Sequence, residues 1–169
     1  YPKESWAYNP AVQSEGQNVA GAKALLREAG WDDHDGDGWL DQGGAPFRFT
    51  LITNQGNEVR RRVAELVQQQ LKAVGIDVRL KVIEWSTFVH EFIDKRRFDA
   101  VLLGWNLSRD PDLYDLFHSS RTREGEYNFV GYQNPEVYRL LVEGRRTFVQ
   151  AKRQAIYRKV HGLLYHDQP

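Results

Sequence analysis

The sequence of 169 residues contains no cysteine. This absence excludes disulfide bonds, thiolate metal sites and cysteine nucleophiles, and it leaves the compartment open because many exported bacterial proteins also lack cysteine. Long apolar stretches are missing as well, since no run approaches the roughly 20 residues that a membrane-spanning helix needs. No transmembrane helix is therefore predicted.

An excess of either charge is also missing, because 23 lysine and arginine residues balance 23 aspartate and glutamate residues. The balance argues against nucleic acid, a membrane surface or a polyanionic substrate as a partner. Enzyme motifs are absent too: the sequence has no nucleophile elbow, no Walker-type phosphate loop, no Gly-x-Gly-x-x-Gly after a strand and no zinc-protease histidine pair. We therefore expect a chain that binds rather than catalyses.

The length suits one compact domain with a sizeable core and is short for two independent ones. Residues 1–17 contain two prolines and a glycine without a sustained period, which predicts an extended connecting segment. Residues 18–169 are expected to form a single α/β lobe. Both ends of the chain resemble cut sites, so we expect this lobe to be truncated and any targeting segment to lie outside it.

Hydrophobic periodicity predicts strands and helices in alternation. Helices are predicted at residues 18–29, at 59–74, from a cap at Ser86, at 134–148 and at 150–165. Strands are predicted at residues 47–53, 76–82 and 98–105, the last of them buried on both faces. Long crossovers between strands favour an open, mainly parallel sheet with helices on both faces. Ligands bind beyond the carboxyl ends of such strands, which here are residues 53–56, 84–85 and 104–112.

An acidic loop is the sharpest local motif. Its alternating carboxylates, with Gly38 at the sixth position, match the first half of a calcium-binding loop. The twelfth position is Gly44, so the bidentate glutamate of a complete EF-hand is absent. The alternative is a solvated turn whose carboxylates cap the local backbone. The predicted calcium ligands are Asp33, Asp35, Asp37, Trp39 and Asp41.

A second segment starts where the predicted buried strand ends in Gly104 and Trp105. The polar residues that follow, as far as Asp112, can present an aromatic surface with hydrogen-bonding groups at the mouth of a cleft. In the alternative interpretation Trp105 closes the core and residues 110–112 begin a helix. The residues alone leave both interpretations open.

A series of short stretches carries a family resemblance. They are SWAYNP at 5–10, LLREAGW at 25–31, DGDG at 35–38, QQQL at 68–71, GIDV at 75–78, EW at 84–85, FDA at 98–100, GW at 104–105, DPD at 110–112, GYQNPEV at 131–137 and DQP at 167–169. In this order and spacing, residues 6–169 resemble the middle-to-late part of family 5 extracellular solute-binding proteins. That family contains the oligopeptide- and dipeptide-binding proteins of ABC importers.

The resemblance implies a two-lobed receptor that closes on a solute, in the first place a peptide, and hands it to an ABC permease in the membrane. This chain would form most of the second lobe of a periplasmic-binding-protein-like type II fold. The whole protein would be a monomer that is periplasmic, or extracellular and membrane-anchored.

The resemblance also indicates the ligand site. In peptide-binding members an aspartate three residues after the tryptophan of the Gly-Trp motif holds the peptide ammonium group. Ser108 occupies that position here, so this ammonium site does not carry over and another solute is open. The predicted ligand-binding residues are Trp105, Asn106, Ser108, Arg109, Asp110, Asn128 and Tyr132.

Two other functions remain as alternatives. A metal-assisted hydrolase of doubly wound fold would use the acidic loop, although no paired base or nucleophile accompanies it. A calcium-stabilised interaction module would bind a non-peptide solute such as an oligosaccharide. In both alternatives the metal ligands are the carboxylates of the acidic loop.

Overall fold

The computed structural model describes residues 1–14, 16–106 and 108–169. They form an α/β fold that divides into two compact units, where the length predicts one lobe. The sheet unit holds residues 16–92 and 97–104, and the helical unit holds residues 1–14, 93–96, 105–106 and 108–169. Two units form because each has a hydrophobic core of its own. Within the described ranges, no helix is both long and apolar enough to cross a membrane.

The sheet unit is built on three parallel strands, as predicted. They are β3 (Arg48–Asn54), β4 (Asp77–Ile83) and β5 (Ala100–Val101), and β3 lies between the other two. A two-residue hairpin of β1 (Asp41–Gln42) and β2 (Ala45–Pro46) precedes them. Long crossovers join the three strands because parallel neighbours cannot be connected by a tight turn.

Two helices of the sheet unit form where periodicity predicts them. Helix α1 (Val19–Glu28) begins after Asn18, whose side-chain oxygen accepts a hydrogen bond from the backbone of Gly21. Helix α2 (Glu58–Lys72) begins in the same way after Asn57. These side chains satisfy backbone N–H groups that a helix start leaves unpaired. The core between α2 and the sheet contains Ala64, Leu51 and Val78.

The third predicted helix starts two residues early and changes type. Helix α3 (Trp85–Thr87) passes directly into a π-helical turn at Phe88–Ile93. Its cap is Glu84 and not Ser86, because the Glu84 carboxylate accepts hydrogen bonds from the backbone of residues 86 and 87. The same two bonds lower the pKa of Glu84.

The strand predicted at residues 98–105 has only two residues, and side chains take part in the hydrogen bonding on either side of it. Before β5, the Asp99 carboxylate accepts the hydrogen bond of the Thr50 backbone N–H. After β5, the carbonyl of Leu102 accepts its bond from the Thr53 hydroxyl. The prediction that residues 98–105 are buried on both faces is wrong, since residues 104–106 are exposed.

The helical unit contains α4 (Tyr114–Phe117), a short 3₁₀ turn (Ser119–Arg121), α5 (Pro135–Arg146) and α6 (Gln150–Asp167). Helix α5 begins as predicted after Asn134, with proline in the first turn. The first residues of the chain belong to this unit and are more than a connection. Ala7 is fully buried, and the carbonyl of Trp6 accepts a hydrogen bond from the Gln154 side chain. The core residues of the unit are Ala7, Leu113, Val137, Leu140, Leu141, Ile156, Tyr157 and Val160.

The connection from α2 to β4 depends on Gly75, whose φ of +85° is a left-handed conformation. Its carbonyl accepts the backbone hydrogen bond of Leu40 at 2.7 Å. A Cβ atom at Gly75 would lie 2.9 Å from the Leu40 side chain. A side chain at this position would therefore meet both backbone strain and overlap.

We predict that Gly75→Ala lowers the free energy of unfolding by about 2 to 4 kcal/mol, from strain and overlap together. Gly43→Ala is the matched control, because Gly43 also has a positive φ but a Cβ atom there would have no neighbouring atom within 4 Å. The control is expected to lose about 1 kcal/mol from strain alone. Urea unfolding measures the free energy of unfolding of both variants. Equal losses would show that the contact with Leu40 does not contribute.

Candidate functional site

Trp105 lies four residues after the end of β5, and its side chain is 43% exposed. Its ring stacks on Phe129 at 5.9 Å between centroids, and the edge of Tyr127 lies 5.4 Å away. The alternative in which Trp105 closes the core is wrong, because a core residue would not leave so much of its indole open. Trp105, Tyr127 and Phe129 form a partly exposed aromatic group.

Tyr127 and Phe129 were not among the predicted site residues. They flank Asn128. Tyr127 is exposed, Asn128 is buried and Phe129 is half-buried, so burial alternates along these residues. This alternation turns the two rings to one side and the Asn128 side chain to the other. The run Tyr-Asn-Phe within a polar segment was the available signal, but its position near Trp105 arises from tertiary folding.

Asn128 is fully buried and does not face a cleft, contrary to its prediction as a ligand-binding residue. Its amide nitrogen donates to the carbonyls of His118 and Tyr132, and its side-chain oxygen accepts from the Tyr132 backbone. Buried amides are retained when their hydrogen bonds are satisfied in this way. Asn128 therefore holds the shape of the segment between residues 118 and 132.

Tyr132 also has internal partners. Its hydroxyl donates a hydrogen bond to Asp167, and its ring contacts Phe117 edge-on. Burial and the nearby carboxylate raise the pKa of Tyr132, while the hydrogen bonds from Tyr132 and Asn134 lower the pKa of Asp167. At neutral pH the hydroxyl is thus a proton donor to a charged acceptor, and Tyr132 links α6 to the segment before α5.

The remaining predicted residues lie on the 105–113 loop, of which residue 107 is outside the described residues. Asn106, Ser108 and Arg109 are exposed, and the Ser108 hydroxyl donates to the carbonyl of Asp110 at 2.8 Å. This loop and the first residues of the chain enclose an open pocket of about 370 Å³. The pocket is lined by Tyr1, Pro2, Glu4, Ser5, Trp6, Ser108, Arg109, Asp110, Pro111 and Leu113.

Asp110 is held by Arg153 of α6. The guanidinium donates to both carboxylate oxygens, at 2.8 and 2.9 Å, and also to the carbonyl of Gly144 and the hydroxyl of Tyr157. The bond to Asp110 is the main cause of the raised pKa of Arg153. Two parallel bonds from a planar guanidinium fix direction as well as distance. Arg153 therefore sets the position of the 105–113 loop.

The acidic loop brings three predicted metal ligands together. Carboxylate oxygens of Asp33, Asp35 and Asp37 lie within 4.8 Å of one another, and all three residues are exposed. Each carboxylate also accepts a hydrogen bond from a nearby backbone N–H, so the solvated-turn interpretation fits the same geometry. Asp41 accepts instead from the backbone of His34, and Trp39 is half-buried. The arrangement can hold a cation and can also stand without one.

The structure thus separates the predicted ligand residues into groups. Trp105 joins an aromatic group, Ser108, Arg109 and Asp110 line one pocket, and Asn128 and Tyr132 bond within the protein. The sequence places Trp105 three residues before Ser108. Within the helical unit the loop therefore presents an aromatic face and a charged pocket rim on neighbouring residues.

The family model described as "Bacterial extracellular solute-binding proteins, family 5 Middle" matches residues 1–127. The chain belongs to this family. The oligopeptide-binding protein AppA of Bacillus subtilis is 42% identical over 153 residues, which are 90% of this chain and 28% of AppA. The resemblance inferred from the short sequence stretches is thereby confirmed.

Solved structures of family 5 proteins agree with the fold. AppA of Bacillus subtilis in complex with a nonapeptide matches 98% of this chain and 33% of that chain, with a TM-score of 0.87 and 41% identity. A mannohexaose-bound oligopeptide-binding protein of Thermotoga maritima matches 97% of this chain and 32% of that chain, with a TM-score of 0.85 and 26% identity. These likenesses confirm the predicted type II periplasmic-binding-protein-like α/β fold. The chain spans about a third of the length of the family 5 relatives that it matches.

We predict that Arg153→Lys lowers the free energy of unfolding by about 1 to 2 kcal/mol, because a lysine ammonium cannot reproduce the two parallel bonds to Asp110. The control is Arg139→Lys, since Arg139 pairs with Glu143 on the exposed face of α5. Such exposed pairs contribute about 0.5 kcal/mol or less. Urea unfolding compares the two variants, and equal stabilities would contradict a special role for Arg153.

Proposed function

We propose that the protein to which this chain belongs binds a solute, in the first place a peptide, and delivers it to an ABC permease for import. The observation that carries this proposal is the likeness to AppA, which is named an oligopeptide-binding protein and was solved with a nonapeptide. The family is one of extracellular proteins. We further propose that the whole protein is a monomer that is periplasmic, or extracellular and membrane-anchored.

The aromatic group supplies the solute contact in this proposal. An indole that is 43% exposed and already stacked on Phe129 would offer the exposed part of its ring to an apolar or ring-shaped solute group, at little cost in side-chain ordering. The chain spans about a third of its relatives, so the rest of the protein would supply the remainder of an enclosing surface. The isolated chain is accordingly expected to bind solute more weakly than the full-length protein.

We predict that Trp105→Ala in the full-length protein lowers peptide affinity by about tenfold or more, because the stacking surface is lost. Calorimetric titration with a random nonapeptide pool measures the change. Phe148→Ala is the control, because Phe148 is an aromatic residue of the same unit that is 96% exposed, in the α5–α6 connection. An unchanged affinity in Trp105→Ala would remove the aromatic group from the solute site.

An oligosaccharide is the second candidate solute. The specific observation in its favour is the Thermotoga maritima relative, whose structure contains mannohexaose. A tryptophan face can stack on a sugar ring as it does on an apolar side chain. The same titration with mannohexaose separates the two candidates, because a sugar receptor would bind mannohexaose and leave the nonapeptide pool unbound.

Binding without catalysis is part of the proposal. The relatives AppA and the dipeptide-binding protein of Escherichia coli are named as binding proteins. In the hydrolase alternative the carboxylates of Asp35 and Asp37 would have to activate water, yet each already accepts a backbone hydrogen bond. Their environment supports a structural part in the loop better than a catalytic one.

We also propose that the acidic loop binds calcium as a structural ion. The convergence of three carboxylates and the positive φ of Gly36 and Gly38 support this proposal, because calcium requires several oxygen ligands around a sharp turn. Calcium would contribute positive charge between carboxylates that otherwise repel one another. Asp33, Asp35 and Asp37 would hold it.

We predict that 10 mM calcium stabilises the protein by roughly 1.4 to 2.7 kcal/mol relative to chelator, for dissociation constants of about 1 to 0.1 mM. Thermal melting with calcium or with chelator measures the shift. The double variant Asp35→Asn with Asp37→Asn should lose this calcium-dependent shift. The control Asp32→Asn alters an acid beside the cluster and should keep the shift. Identical melting midpoints with calcium and with chelator would exclude a structural calcium ion.

A further inference from the structure

Both acids of the 105–113 loop are engaged by arginines of the two long helices. Asp110 has its two carboxylate oxygens bonded to Arg153 of α6. Asp112 accepts the backbone hydrogen bond of Tyr114 with one oxygen and a bond from Arg145 of α5 with the other, at 2.6 Å. The carboxylates that the sequence places beside the Gly-Trp motif are therefore used inside the protein.

Arg109 differs from these two acids. Its side chain is exposed and lines the 370 Å³ pocket, and no hydrogen bond or ion pair with any other described residue engages its guanidinium. The pocket wall beside it is largely apolar, since it includes Trp6, Pro111 and Leu113. The charge that the loop leaves available to a solute is thus positive.

One acid approaches the same pocket from another segment. Glu4 is exposed on the pocket rim, and among the described residues it has no ion-pair partner. It belongs to the first turn of the chain and not to the loop that carries the Gly-Trp motif. A test of the charge preference must therefore vary Glu4 and Arg109 separately.

We propose that the 105–113 loop binds its solute through Arg109 and a solute carboxylate, such as the C-terminal carboxylate of a peptide, and not through an acid that holds an ammonium group. The assignment rests on the proposed peptide-binding function and specifies it further. A guanidinium recognises a carboxylate through two parallel hydrogen bonds, and the apolar wall suits the side chain next to that carboxylate.

Asp110 is a less suitable partner for an ammonium group. Its two oxygens already accept bonds from Arg153 and from the backbone N–H of Asp112, and its charge is balanced by Arg153, whose side chain is only 21% exposed. An ammonium group would have to share this carboxylate with the guanidinium, which weakens its attraction to the site. Ser108 cannot replace the missing carboxylate, because it is uncharged and its hydroxyl proton already points to the carbonyl of Asp110.

The test uses the full-length receptor and a random nonapeptide pool in three forms: free at both ends, acetylated at the N-terminus, or amidated at the C-terminus. The retained peptide is measured by mass spectrometry after rapid gel filtration. We expect amidation to reduce retention by about tenfold or more, the effect of losing one charge-assisted contact, and acetylation to change it less than about twofold. In Arg109→Gln the difference between free and amidated pools should disappear.

The control is Arg123→Gln, which removes an exposed arginine of the same unit that does not line the pocket; the free and amidated pools should still differ in it. Loss of retention on acetylation but not amidation, or in Glu4→Gln but not Arg109→Gln, would overturn the assignment and indicate ammonium binding. Equal retention of free and amidated pools by the unaltered receptor would overturn it as well. Retention of no pool at all would refute the proposed peptide function itself, and the assignment with it.

Discussion

The pairing of Arg153 with Asp110 joins three parts of the helical unit at one point. From its place on α6, the guanidinium reaches the 105–113 loop through Asp110 and the end of α5 through the carbonyl of Gly144. It also lies 5.7 Å from the ring of Trp6, which belongs to the first segment of the chain. A planar group with several fixed donors can hold such elements together only in one arrangement. Together with the bond from Arg145 to Asp112, it holds the 110–112 part of the loop against the two long helices.

The pairing also engages a carboxylate of the loop. Asp110, with both oxygens bonded to Arg153, contributes to the shape of the protein. Trp105 of the Gly-Trp pair is stacked on Phe129, and the uncharged Ser108 stands three residues after it. Because function depends on particular residues more than on the fold, these side chains and their internal partners bear on solute preference.

The sequence predicted those features that depend on neighbours along the chain. The caps Asn18 and Asn134 and the helix of α2 are local signals, and the structure has all three. The alternation predicted for β4 fails at its end, where Val82 is exposed and Ile83 is buried, and Val59 and Leu66 of the apolar face of α2 are exposed. Features that depend on distant partners were missed. The interior position of Asn128 depends on a carbonyl ten residues away, and the division into two units depends on how apolar faces are shared between distant segments.

The brevity of β5 has a consequence for the behaviour of the molecule in solution. Strand β5 is at one edge of the three-stranded sheet, and an edge strand offers unpaired N–H and C=O groups to any other polypeptide. Here the strand has only two residues, and the Asp99 carboxylate and the Thr53 hydroxyl take part in the bonds that flank it. A newly folded molecule therefore presents, on this side, too short a template for sheet extension by a second copy, which reduces the opportunity for aggregation.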